Sequence, residues 1–170
     1  GLLAGHRHVM VEAFHPETSC EALSRHGVTI AGSGPAFWMA YVAAQRRTPD
    51  RRLFPGLRAL VGGGAAKPPT LATEVRDVLG VPLITGYGLS ECPGVAHCGV
   101  DDPSDVLVSD GHALDDSAIK VVGADGRQLP YGEQGEIVVT GPMLFRGYLD
   151  PAHDEGAFDA DGWLRTGDVG

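Results

Sequence analysis

A change of pattern divides the chain. Up to about residue 100, apolar side chains recur every three or four positions between short β-branched runs, and beyond it that helical period fades into short strands separated by turns. Thr18 or Ser19 can cap a helix that runs through about Arg25 and stops at Gly27. "VTIAG" (residues 28–32) predicts a short strand. "PAFWMAYVAAQRR" (35–47) predicts a helix with Phe37, Tyr41 and Ala44 on one face and Trp38 and Val42 beside them. Pro35 suits its first turn, where a missing N–H has no helical partner. "LRALVGGG" (57–64) reads as a strand stopped by glycines, residues 70–79 as a helix ended by Gly80, and "VPLITGYG" (81–88) as a buried strand that breaks at its glycines.

Strand–helix–strand repeats of this length predict an α/β architecture: a partial parallel sheet with packed helices. Such sheets bind ligands outside the carboxyl ends of their strands, where "AGSG", "VGGGAA" and "ITGYG" fall. The later segments "SAIKVV", "GEIVVTG" and "GWLRTGD" are short strands separated by the turns "ADGR" and "PYGE". They predict a small antiparallel β subdomain, incomplete at its C-terminal end. The composition shifts in "HCGVDDPSD", so the expected division is 1–100 and 101–170.

Composition narrows the field. No run of 18 apolar residues is present, which predicts no transmembrane helix. No signal peptide is readable, and the lack of an initiator Met leads us to expect a chain that starts mid-protein. Three cysteines suit a reducing cytoplasm rather than a disulfide scaffold, with peripheral membrane contact kept open. Cys92, His97 and Cys98 match no standard zinc spacing. The net charge of −9 is uneven: residues 1–85 carry +3 and residues 86–170 carry −12. An acidic second half argues against nucleic acid or anionic lipid as the main partner.

Four stretches carry candidate chemistry. "VGGGAAK" (61–67) follows a strand and precedes a helix, so its N–H groups can face a phosphate or a flat ring; with 25 glycines in 170 residues, a plain tight turn reads as well. In "GYGLSE" (86–91), Tyr87 between two glycines can stack on a base, Ser90 can donate to a phosphate, and Glu91 can hold Mg²⁺. A capping Ser and a solvated Glu are the plainer reading. Asp168, ending "LRTGD", can accept from vicinal hydroxyls such as those of a ribose, or simply close a turn. "GPMLFRGYLDP" (141–151) is either a helper loop or packing. A serine hydrolase fails, because neither "GYGLSE" nor "IAGSGPA" forms the Gly-x-Ser-x-Gly elbow.

Taken in order, these stretches resemble the adenylate-forming superfamily of acyl-CoA synthetases, luciferases and peptide-synthetase adenylation domains. "GYGLSE" is similar to its Tyr-Gly-x-Thr-Glu motif, with Ser90 for the usual Thr; "GEIVVTGPMLFRGYLD", "DGWLRTGDVG" and "LRALVGGGAAKPP" resemble three others. The resemblance implies a central fragment of the large N-terminal domain. It implies that Tyr87 and Gly88 meet adenine with Gly63, Gly64 and Ala65 as walls, that Ser90 contacts the α-phosphate, that Glu91 binds Mg²⁺, and that Asp168 accepts from the ribose. Ser90 and Glu91 are thereby the catalytic candidates. The implied reaction joins a carboxylic acid, fatty or aryl, to ATP and then to coenzyme A. A non-catalytic nucleotide-binding module and a peptide-synthetase adenylation domain are the alternatives. The residues at 35–47 and 92–96 would help shape an acyl pocket. The Ser/Thr/Gly-rich phosphate loop and the C-terminal lysine of that family are absent from these 170 residues, so the fragment alone is expected to be inactive. Apolar faces meant for missing elements are expected to drive self-association.

Overall fold

The computed structural model describes residues 4–170. They form two compact units, Gly1–Thr85 with Gly99–Ser109, and Gly86–Cys98 with Asp110–Gly170. The chain therefore enters the second unit at Gly86, returns to the first at Gly99 and leaves it again at Asp110. Composition places one crossing near Asp101; the crossings at Gly86 and Asp110 have no compositional mark.

The first unit holds α1 (Pro16–Arg25), β1 (Ile30–Ser33), α2 (Pro35–Arg46), β2 (Ala59–Gly63), α3 (Leu71–Leu79), the start of β3 (Leu83–Leu89) and a short helix, α4 (Ser104–Leu107). β1 and β2 pair in parallel, from Ile30 opposite Ala59 to Ser33 opposite Gly62. The start of α1 differs from expectation: His15 is the cap and Pro16 opens the helix, while Ser19 accepts from the His15 N–H at 3.0 Å from inside the first turn. The end is as expected, with Gly27 at a φ of 60°. α3 stops where Gly80 turns left-handed at a φ of 70°, and Arg52 donates to the Leu79 carbonyl at 3.0 Å.

Packing rotates α2 relative to its expected face. Trp38 is 0% exposed, whereas Phe37 lies at the margin, edge-on to Phe14. Trp38, Tyr41 and Val42 pack with Leu60, Leu71, Val75 and Leu83 in one apolar cluster. Gln45 is buried with them and fully used: its amide donates to the carbonyls of Thr48 and Arg51, and its oxygen accepts from the Leu53 N–H, all at 2.9 Å. That one side chain shapes the path from α2 toward β2.

The second unit holds the rest of β3, then β4 (Cys92–His97), β5 (His112–Ala113), β6 (Ala118–Val122), β7 (Glu136–Thr140), a 3-10 turn at Pro151–Asp154 and β8 (Leu164–Val169). β6, β7 and β8 form the expected antiparallel three-stranded sheet in that order. Contrary to the break expected at "GYG", β3 runs on through Tyr87 to Leu89 and pairs antiparallel with β4, which pairs with β5. The larger sheet, in the order β1-β2-β3-β4-β5, is therefore mixed rather than wholly parallel. Cys92, Val95, Val139 and Leu164 are the buried centre of this unit, with Tyr87, Phe145 and Phe158 against them.

Candidate functional site

β3 presents Tyr87 between Gly86 and Gly88. A Cβ at Gly86 would lie 2.7 Å from the Ala96 carbonyl oxygen, and one at Gly88 would strike the carbonyl of Pro93. The close approach of β4 thus demands both glycines. Leu89 pairs with Cys92, which leaves Ser90 and Glu91 as a two-residue turn. Among the described residues Asp116 is the one non-glycine with positive φ, so this turn is not of the primed kind that matches strand twist. The pairing register shifts between Tyr87 and Leu89, just before the turn. Ser90 is exposed and Glu91 half-buried at the tip.

The Tyr87 phenol donates to the Asp168 carboxylate (Oδ2) at 2.6 Å. Asp168 stands near the end of β8, where its own N–H donates to the Thr166 hydroxyl at 3.1 Å and that hydroxyl donates to the Ile137 carbonyl at 2.7 Å. The carboxylate is therefore carried on a strand end pinned to β7. Burial and the bond to Asp168 push the Tyr87 phenol up to about 12, against an opposing contribution from Thr166.

Glu91 has a partner that its motif does not announce. The Tyr148 phenol donates to Glu91 Oε1 at 2.8 Å, and the Phe145 N–H donates to the Glu91 carbonyl at 2.8 Å. The bond to Glu91 raises the Tyr148 phenol above its ordinary value. The Tyr148 N–H donates to Asp154 Oδ1 at 2.8 Å, and its ring packs edge-on against Phe145 with centroids 4.8 Å apart.

Gly63, Gly64 and Ala65 belong to the first unit. Gly63 closes β2, and Gly64 turns at a φ of 86° into the exposed loop that follows. Two residues after Ala65, Lys67 donates to Thr85 Oγ1 at 2.6 Å and to the Ser109 carbonyl, anchoring the loop's far end. Gly62 just before them is the constrained position: its φ is 146°, and a Cβ there would collide with the Ser33 carbonyl.

Of the residues singled out in the sequence, Tyr87 and Asp168 are hydrogen-bonded, and Ser90 and Glu91 share one turn, all in the second unit. Thr166 and Tyr148 stand inside the motif-like stretches "DGWLRTGDVG" and "GEIVVTGPMLFRGYLD", but the sequence assigns neither of them a role or a partner. Of the residues at 92–96, Cys92, Val95 and Ala96 are buried. No group of three or more His, Cys, Asp or Glu side chains is arranged to hold a metal among the described residues. No helix among them is long and apolar enough to cross a membrane.

These are the elements of an adenylate-forming enzyme. A family profile described as "AMP-binding enzyme" matches residues 1–149, and the chain belongs to that family. "Pyochelin synthase PchD" of Pseudomonas aeruginosa (strain UCBPP-PA14) is 37% identical over 170 residues, covering 98% of this chain and 30% of that protein. "Salicylyl-CoA synthase / salicylate adenylyltransferase" of a Streptomyces species is 35% identical over 175 residues, covering 99% of this chain and 31% of that one. The crystal structure of ATP-bound MatB from Rhodopseudomonas palustris is similar with a TM-score of 0.82 at 26% identity, over 95% of this chain and 31% of that one. The chain thus spans about a third of the length of the curated relatives it matches.

Proposed function

We propose that this chain supplies nucleotide-holding loops of a cytoplasmic enzyme that activates an aryl carboxylic acid with ATP and passes the acyl group to coenzyme A. The observation that carries the reading is the 2.6 Å bond between Tyr87 and Asp168, 81 residues apart in sequence. It sets an aromatic ring beside a carboxylate, the two groups that the base and the ribose of an adenosine need. The name of the salicylyl-CoA synthase supports an aryl acid over a fatty one, and coenzyme A as the acceptor. The ATP-bound MatB structure supports the nucleotide.

In the first step a carboxylate oxygen bonds to the α-phosphorus, the bond to the bridging oxygen breaks, and pyrophosphate leaves. In the second the thiol of coenzyme A loses its proton and attacks the acyl carbonyl, and AMP leaves with the electron pair. No protein atom becomes covalently bound, so the protein acts by position and field. The Tyr87 ring stacks on adenine against Gly88. Asp168 accepts from the ribose hydroxyls, and Ser90 donates to the α-phosphate. Mg²⁺ suits Glu91: the ion prefers oxygen, and one or two carboxylates with substrate phosphates and water complete its shell, so no cage of protein ligands is required. When bound it offsets the phosphate charge.

The test is acid-dependent exchange of labelled pyrophosphate into ATP by the protein that the whole reading frame encodes, with one series of aryl acids and one of straight-chain fatty acids. Exchange with aryl acids, lowered at least about tenfold in Asp168→Ala, is expected from the loss of charged hydrogen bonds to the ribose. Exchange confined to fatty acids would overturn the aryl assignment, and none with any acid would overturn the enzyme.

A further inference from the structure

We propose that Tyr148 is a positioning residue for Glu91, fixing one carboxylate oxygen so that the other is left for a divalent cation on the nucleotide. The inference rests on the reading of Glu91 as the magnesium ligand. Its basis is the Tyr148–Glu91 bond at 2.8 Å and the way the phenol is itself held. The backbone of Tyr148 is fixed by the 2.8 Å bond from its N–H to Asp154. Its ring meets Phe145 edge-on at 4.8 Å, and Phe145 stacks on Phe158 at 5.6 Å. The Phe145 N–H also holds the Glu91 carbonyl, so backbone and side chain of Glu91 are gripped from the same segment.

The chemistry follows from what a glutamate lacks. Its carboxylate sits on three rotatable bonds at the tip of a two-residue turn, and a free one would sample several orientations. A hydrogen bond to Oε1 removes most of that freedom and occupies one of the two oxygens. Oε2 has no second partner among the described residues. A tyrosine donor does this without adding charge, so it does not compete with the cation as a lysine or arginine would. The "GPMLFRGYLDP" segment thereby acquires a role, since its aromatic residues brace a hydroxyl that aims a ligand. Outer groups of this kind change metal affinity by about 10- to 100-fold when removed.

Mn²⁺ is the probe, read by the electron paramagnetic resonance of the free ion as it is titrated with the full chain in the presence of ATP. Circular dichroism melts of every variant check folding. Tyr148→Phe keeps the ring packing and removes only the hydroxyl, and should weaken Mn²⁺–ATP binding about tenfold with an unchanged melt. Glu91→Gln should weaken it at least as much. The double variant should bind no worse than Glu91→Gln alone, because the hydroxyl acts only through that carboxylate; a merely structural role would make the two losses add. Wild-type affinity in Tyr148→Phe together with a loss in Glu91→Gln would overturn the positioning role and leave the metal reading intact. Wild-type affinity in Glu91→Gln, or no Mn²⁺–ATP binding by the parent chain, would overturn both.

Discussion

Replacing Tyr87 separates its two contacts. Tyr87→Phe keeps the ring and loses one hydrogen bond, the 2.6 Å contact to Asp168. Bonds to a charged acceptor contribute about 1.5–3 kcal/mol when both groups are withdrawn from water. Asp168 is exposed and regains water when the phenol is removed, so the expected loss of folding stability is smaller, about 1 kcal/mol. Nucleotide affinity should fall less than about fivefold, because stacking on the ring face survives. Tyr87→Ala removes the face as well. At about 1–3 kcal/mol per stacked base, AMP or a non-hydrolysable acyl-adenylate should bind roughly 5- to 150-fold more weakly. Isothermal titration calorimetry of parent, Tyr87→Phe and Tyr87→Ala measures each step, and urea unfolding measures the stability change. Two results would refute the reasoning: an alanine variant that binds as the parent does, or a phenylalanine variant that loses as much as alanine. The second would make the hydroxyl, not the ring, the nucleotide contact.

Three further outcomes are expected. Gly62→Ala forces a methyl onto the Ser33 carbonyl at a φ of 146°, and should destabilise the first unit by at least about 2 kcal/mol, read by urea unfolding with the buried Trp38 as reporter; a wild-type midpoint would contradict the β1–β2 contact. The Tyr87 phenol ionises near pH 12 when folded and at its ordinary value of 10.0 when unfolded, so its contribution is fully present below pH 10 and lost as pH rises through that window. Stability measured across the window should accordingly fall more steeply in the parent than in Tyr87→Phe, and equal slopes would remove the raised phenol. Tyr131 and Leu149 are fully exposed and Met10 nearly so; the 170-residue chain should self-associate in sedimentation and bind a hydrophobic dye, and a clean monomer without dye binding would count against this.

What was legible depends on the range of the forces involved. The three strands of the smaller sheet are legible as elements, because short β-branched runs bounded by turns such as "ADGR" and "PYGE" are a local signal that β6, β7 and β8 carry. The helices were legible as elements but not to the residue. Phe37 and Trp38 are equally apolar, and only packing against Leu60 and Val75 selects Trp38 as the buried ring. β4 escaped notice because Pro93 and Gly94 look like breakers, and its pairing is settled by Gly86 and Gly88, which admit it closely. The site divides in the same way. "GYGLSE" offered the right groups, yet nothing local joins Tyr87 to Asp168 across 81 residues, and their association came from resemblance alone. Tyr148 was invisible as a partner of Glu91, since a tyrosine 57 residues downstream has no spacing rule to reveal it.

The most direct test of the nucleotide reading is an intermolecular nuclear Overhauser measurement on the chain saturated with AMP. Contacts from the adenine protons to the ring of Tyr87, and from the ribose protons to the segment around Asp168, are the expected result. Adenine contacts confined to residues away from β3 and β8 would contradict it.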